Sequence, residues 1–156
     1  MTAVHAQDIL HSDLSSMNIL VTKDYVAKIS DFGISTKGKQ LSADGCGSAR
    51  WRAPEMFIRT ANKKGKMIGD ICTNKIDVYG YSIILWELFH MPAIPWEEDL
   101  DEMVEKKVLS GQRMKLSDNV GSSWKQLIQS CWNQDPEQRP SFHRIVQIIE
   151  QIPQQN

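Results

Sequence analysis

The chain is short of several features that would have narrowed its chemistry at once. Its three cysteines, Cys46, Cys72 and Cys131, are odd in number and include no C-x-x-C spacing. That excludes a disulfide framework and a cysteine-built zinc site, and leaves buried or idle thiols in a reducing compartment. Net charge is nearly absent: 18 Lys and Arg stand against 19 Asp and Glu, leaving −1. No global field therefore draws the chain onto nucleic acid or an acidic lipid surface. The longest apolar run, residues 78–89, already contains Glu87 and is too short for a membrane span. No basic stretch followed by an apolar core opens the sequence, so a signal peptide is not expected. Internal repeats and low-complexity tracts are missing as well, apart from a polar tail at residues 153–156. Together these absences predict a cytoplasmic domain whose partners are neither nucleic acid nor membrane.

What is present is ordinary in amount. The 156 residues are 41% hydrophobic and 24% charged, close to globular averages, and enough for one domain. Two short β-rich runs, Ile19-Leu20-Val21 and Val26-Ala27-Lys28-Ile29, flank the polar turn Thr22-Lys23-Asp24-Tyr25, which predicts a small hairpin. Residues 33–52 are rich in Gly, Ser and Lys without a hydrophobic period and read as a long loop, a kind that compact domains usually keep for function. After Ala53 the pattern is helical. Residues 76–90 are apolar nearly all round, as in a helix buried at the centre of a domain. Leu100, Met103, Val104, Lys107 and Val108 fall mostly on one face of a second helix. Trp124, Leu127, Ile128, Cys131 and Trp132 mark a third, and Phe142, Ile145, Val146, Ile148, Ile149 and Ile152 a fourth, with Ser141 as its N-cap. Residues 60–74, with Lys63, Lys64 and Lys66, read as a solvated connecting loop. The expected fold is mainly α with a small β-hairpin.

Three segments carry chemistry jointly. His11-Ser12-Asp13-Leu14-Ser15-Ser16-Met17-Asn18 runs into the first strand, Asp31-Phe32-Gly33 follows the second, and Ala53-Pro54-Glu55 closes the long loop. The Asn18 amide and the Asp31 carboxylate sit at opposite ends of the hairpin, and antiparallel pairing brings such ends near each other. Mg²⁺ takes few oxygen ligands from protein and the rest from phosphate and water. Asp13, five residues before Asn18, is then placed to accept a proton from a hydroxyl attacking that phosphate.

In this order and around a hairpin, the segments resemble the C-terminal lobe of a eukaryotic protein kinase over nearly the whole chain, with a polar tail beyond residue 152. The resemblance implies that residues 5–10 end the helix before the catalytic loop, that Asp13 is the catalytic base, and that Asn18 and Asp31 hold Mg²⁺. It implies that His11 and Phe32 stack in the spine joining the two lobes, that Gly33 completes the motif opening an activation segment over 31–55, and that Leu20 lies beneath the adenine of ATP. It further implies a Glu55–Arg139 ion pair, an Asp77 that steadies the catalytic-loop backbone, and a substrate groove at Ser48. The closing residues Cys131-Trp132, Asp135-Pro136 and Arg139-Pro140-Ser141-Phe142, together with the Ser48 hydroxyl, are similar to the Ser/Thr-type, tyrosine-kinase-like group. Hydroxyls at Ser35, Thr36, Ser42 and Ser48 are open to phosphorylation.

The chain also departs from that pattern. It has no G-x-G-x-x-G and no counterpart of the strand Lys that a kinase sets on the phosphates. Those belong to an N-terminal lobe of roughly 100 residues, so the expectation is a C-lobe with its N-lobe missing or supplied by a longer gene product. Ser12 stands where Arg is usual, and Ser15 and Met17 where a cation is usual. Losing one preorganised charge of this kind costs about 10²- to 10³-fold in rate. The expected activity is ATP-dependent phosphoryl transfer to a protein, poor in the isolated chain. The alternative is a pseudokinase-like module that binds a protein partner without catalysis.

Overall fold

A computed structural model describes residues 1–37, 47–61 and 73–153. The elements run α1 (Thr2–His5), β1 (Ile9–Leu10), β2 (Ile19–Val21), β3 (Ala27–Ile29), β4 (Thr36–Lys37), α2 (Pro54–Ala61), α3 (Lys75–His90), α4 (Asp101–Leu109), α5 (Ser122–Cys131) and α6 (Phe142–Gln151). The described chain is mainly helical with small antiparallel pairings. Among the described residues no helix is long and apolar enough to cross a membrane.

Helix α3 is the axis. Its apolar residues point in all directions, so it is stable only when surrounded, and Ile76, Val78, Tyr79, Ile83, Ile84, Leu85 and Trp86 are all buried. Helix α5 packs Leu127, Ile128 and Cys131 into the same core, joined by Phe142 and Ile145 of α6 and by Met56 and Phe57 of α2. Each such aliphatic or aromatic side chain removed from water contributes about 1.5–3 kcal/mol. The helix ends follow local rules. Ser141 Oγ accepts from Arg144 N–H at 3.2 Å and caps α6. Helix α4 opens on Asp101 and Glu102 and closes on Lys106 and Lys107, complementing its dipole.

The hairpin forms as the pattern predicts, with Ile19 opposite Ile29, Leu20 opposite Lys28 and Val21 opposite Ala27. Thr22 closes the turn twice: its N–H donates to Val26 O at 3.0 Å, and its Oγ1 accepts from Val26 N–H at 3.1 Å.

Three expectations need correction. The helix before residue 11 ends at His5, and Ile9–Leu10 is strand. That strand pairs with Thr36–Lys37, inside the segment read as continuous loop. The loop also ends in a 3₁₀ turn, Ala49–Trp51, and helix α2 runs to Ala61, into the segment read as a solvated connection. Residues 62–72 of that connection, with its three lysines and Cys72, lie outside the described residues, as do Ser42, Cys46 and the tail residues 154–156.

Candidate active site

The site is assembled on the first turns of α3. Asp77 is buried and its carboxylate accepts three hydrogen bonds: from His11 N–H at 2.9 Å, from Ser12 N–H at 2.9 Å and from His5 Nε2 at 2.8 Å. One turn on, a Cβ on Gly80 would lie 2.5 Å from Leu14 O. Glycine there lets the backbone of loop 11–18 rest directly on the helix. The loop is therefore held at residues 11, 12 and 14 by one buried helix. Ser12 is bent into the left-handed region, at φ +70°, a strain that persists only where the surroundings impose it.

His11 is fully buried. Its Nε2–H donates to Ser30 O at 2.9 Å while Nδ1 accepts from Asp13 N–H at 3.3 Å, so the network assigns the tautomer. Phe32 lies against the His11 ring with centroids 4.8 Å apart and the planes tilted by 60°. The histidine thus ties loop 11–18 to the residues after β3 through both a ring nitrogen and a ring contact.

Asp13 and Asn18 touch. The Asn18 amide Nδ2 donates to Asp13 O at 2.8 Å and to Asp13 Oδ2 at 3.1 Å, which turns the amide oxygen away from Asp13. On the hairpin's other strand, Ser30 N–H and Oγ–H both donate to Asn18 O, at 2.8 and 3.0 Å. The next residue, Asp31, has φ +58° and takes a hydrogen bond from Gly33 N–H on Oδ1 at 3.2 Å. Pairing of β2 with β3 therefore brings the backbones at 18 and 30 together, one residue short of Asp31. Asp13 Oδ1 accepts from Ser48 N–H at 3.2 Å, which joins the loop's base candidate to the segment before α2.

Away from this cluster, Arg139 and Glu55 meet in a buried, two-pronged ion pair, Nη1 to Oε1 at 2.7 Å and Nη2 to Oε2 at 2.9 Å. Arg139 also donates to the carbonyls of Asn133 and Lys75, and Lys75 Nζ donates to Arg139 O. Leu20 is 59% exposed, and Met17, Val21, Val26 and Phe32, in and beside the hairpin, are exposed as well.

A pattern described as protein tyrosine and serine/threonine kinase matches residues 1–149. The chain belongs to that kinase family. It is 37% identical over 153 residues to the RGS domain-containing serine/threonine-protein kinase A of Dictyostelium discoideum, covering 97% of this chain and 13% of that protein. It is 37% identical over 153 residues to the probable serine/threonine-protein kinase roco7 of the same organism, covering 90% of this chain and 5% of the relative. It is also 33% identical over 149 residues to the megakaryocyte-associated tyrosine-protein kinase of Mus musculus, covering 96% of this chain and 28% of that protein. The chain spans a small part of the length of the relatives it matches.

Family membership implies ATP and Mg²⁺, and the chemistry of the donors here suits them. An amide oxygen and a carboxylate are hard oxygen ligands, and two of them suit an ion that takes its remaining partners from phosphate and water. The kinase loop carries no lysine or arginine between His11 and Asn18. Ser12 and Ser15, which occupy usual cation positions, are buried, and their hydroxyls have no hydrogen-bond partner among the described residues.

Sequence reading missed two contacts that shape the kinase site. Glu87 Oε1 accepts from Ser16 Oγ–H at 2.8 Å and Oε2 from Trp51 Nε1–H at 2.9 Å, clamping loop 11–18 to the 3₁₀ turn. Burial pushes the Glu87 carboxyl above its ordinary value, against the pull of the two hydrogen bonds. A glutamate in an otherwise apolar helix was the available signal. Arg52, whose guanidinium donates to Gly47 O at 2.6 Å and lies 5.0 Å over the Phe57 ring, left none.

Proposed function

We propose that this chain is the C-terminal lobe of an ATP- and Mg²⁺-dependent protein kinase of the tyrosine-kinase-like group, transferring phosphate to Ser or Thr of a protein substrate. The observation that carries the reading is the contact of Asn18 with Asp13 on one side and with Ser30, the residue before Asp31, on the other, at one end of the hairpin. Asn18 and Asp31 are the residues that would hold Mg²⁺, which when bound offsets the charge of the phosphates. Asp13 accepts the proton of the substrate hydroxyl. His11 and Asp77 keep the loop backbone in place while it does so. Ser48, beside Asp13, belongs to the groove that receives the substrate hydroxyl. The exposed Leu20, Val21 and Val26 side chains of the hairpin support a second lobe, contributed by a longer gene product, as the other half of the ATP cleft. The 156 residues alone then transfer phosphate poorly.

The test is transfer of labelled γ-phosphate from ATP to a protein by the longest product of the gene, with Asp13→Asn and Asp31→Ala beside it. Turnover abolished by Asp13→Asn, with Mg-ATP binding lost in Asp31→Ala, supports the reading. Absence of both turnover and Mg-ATP binding from the unaltered protein overturns it. The second reading, a binding module without catalysis, then stands; the observation favouring it is the cation-free loop with its buried Ser12 and Ser15.

A further inference from the structure

We infer that Gly47 and Arg52 are positioning residues for Asp13, and that both act through the single peptide unit joining Gly47 to Ser48; the inference rests on the reading of Asp13 as the base. The two ends of this peptide are engaged in opposite senses. Its carbonyl, Gly47 O, accepts from Arg52 Nη2 at 2.6 Å, and its N–H, on Ser48, donates to Asp13 Oδ1 at 3.2 Å. A cation thus polarises the peptide toward a carboxylate, and hydrogen bonds linked in this way strengthen one another. Arg52 bears on Asp13 without touching it.

Glycine is what makes the bridge geometrically possible. Gly47 has φ +56°, and a Cβ built on it would lie 2.4 Å from Asp13 Oδ1, 3.0 Å from its Cγ and 3.3 Å from its Cα. Any side chain at 47 is therefore blocked by the carboxylate the peptide serves, in addition to being strained by the backbone. Ser48, by contrast, contributes its backbone N–H to the bridge. With Oδ1 held by Ser48 and Oδ2 by Asn18, the carboxylate cannot rotate. An ionised carboxylate has about four acceptor sites, so each oxygen keeps one for the proton of an incoming hydroxyl. Asp13 is aimed and still able to act.

The bridge is read without any activity measurement, in the ¹H–¹⁵N spectrum of the labelled chain. The Ser48 amide proton resonates downfield and exchanges slowly. Asp13→Asn moves it upfield and lowers its exchange protection roughly ten- to hundredfold, the equivalent of one charge-assisted hydrogen bond. Gly47→Ala does the same. Arg52→Met gives a smaller change in the same direction, and Arg52→Lys, which keeps a donor, restores it. An amide at 48 that ignores Asp13→Asn while the remaining spectrum stays native overturns the inference, as does an Arg52→Met variant that leaves it unmoved. Should Gly47→Ala not fold, the isosteric Asp13→Asn decides alone. A responsive amide beside a longest gene product that neither transfers phosphate nor binds Mg-ATP defeats the functional reading only; active transfer with an unresponsive amide defeats the bridge only.

Discussion

Helix α3 and the β2–β3 hairpin are built from the same kinds of aliphatic residue and end in opposite circumstances. In the helix, Val78, Tyr79 and Ile83 have no exposure at all, whereas in and beside the hairpin Leu20, Val21 and Val26 are each more than half exposed. The difference separates two tasks within one kinase chain. Stability resides around α3, where buried polar groups such as Asp77, Glu55 and Arg139 are tied by several hydrogen bonds. The proposed chemistry sits at the hairpin's open end, where Asn18 is half-buried against Asp13 and Asp31 is exposed. Loop 11–18 is the seam between the two, pinned by Asp77 on one side and merging into β2 on the other.

The separation breaks most severely at Arg139. Arg139→Met leaves Glu55 charged and buried without its partner, at a cost of roughly 3–5 kcal/mol; urea unfolding of the purified chain measures it, and adding Glu55→Leu recovers most of the loss. Next comes truncation within the core. Ile83→Ala removes a fully buried side chain from α3 and costs on the order of 3 kcal/mol, again by urea midpoint at unchanged slope.

Alkaline pH attacks the same region by another route. Burial pushes the Tyr79 and Tyr81 hydroxyls from 10.0 to about 12 and the Cys131 thiol from 9.0 to about 12. The unfolded chain gives up these protons first. Stability is therefore whole below pH 9 and falls as pH rises toward 12. By pH 10 the loss is roughly 2 kcal/mol, visible as a lower Tm than at pH 8, and Cys131→Ala removes the part that begins at pH 9. The smallest effect belongs to the hairpin. Leu20→Ser stays within about 0.5 kcal/mol of the parent in the same thermal melts; a loss comparable to Ile83→Ala would erase the distinction between the two regions.

The sequence was informative wherever a period or a local rule governs structure. Helices α3, α5 and α6 follow from runs of apolar residues with helical spacing, the Ser141 cap from residue type, and the hairpin from two β-branched runs around a polar turn. The pairing of Ile9–Leu10 with Thr36–Lys37 was invisible because two-residue strands have no measurable alternation and their partner lies far along the chain. Helix α2 fell within the stretch read as helical after Ala53, with Pro54 at its first position, but its last residues ran into a segment whose lysines and glycines read as loop. Within the site, residues joined by backbone pairing could be anticipated from order along the chain. The clamp of Ser16 and Trp51 by Glu87 could not, because nothing in local spacing encodes a hydrogen bond between elements that meet only after folding.

Asp77 has one more consequence. Surface loops ordinarily open and close on their own, many times for each unfolding of the protein, and their amide protons exchange accordingly. The His11 and Ser12 amides are bonded to a carboxylate inside the central helix, so releasing them requires opening the helix's own surroundings. This stretch of loop belongs kinetically to the core. Its amides exchange as slowly as those of Ile83 and Ile84, and Asp77→Asn turns a globally protected loop back into a locally breathing one.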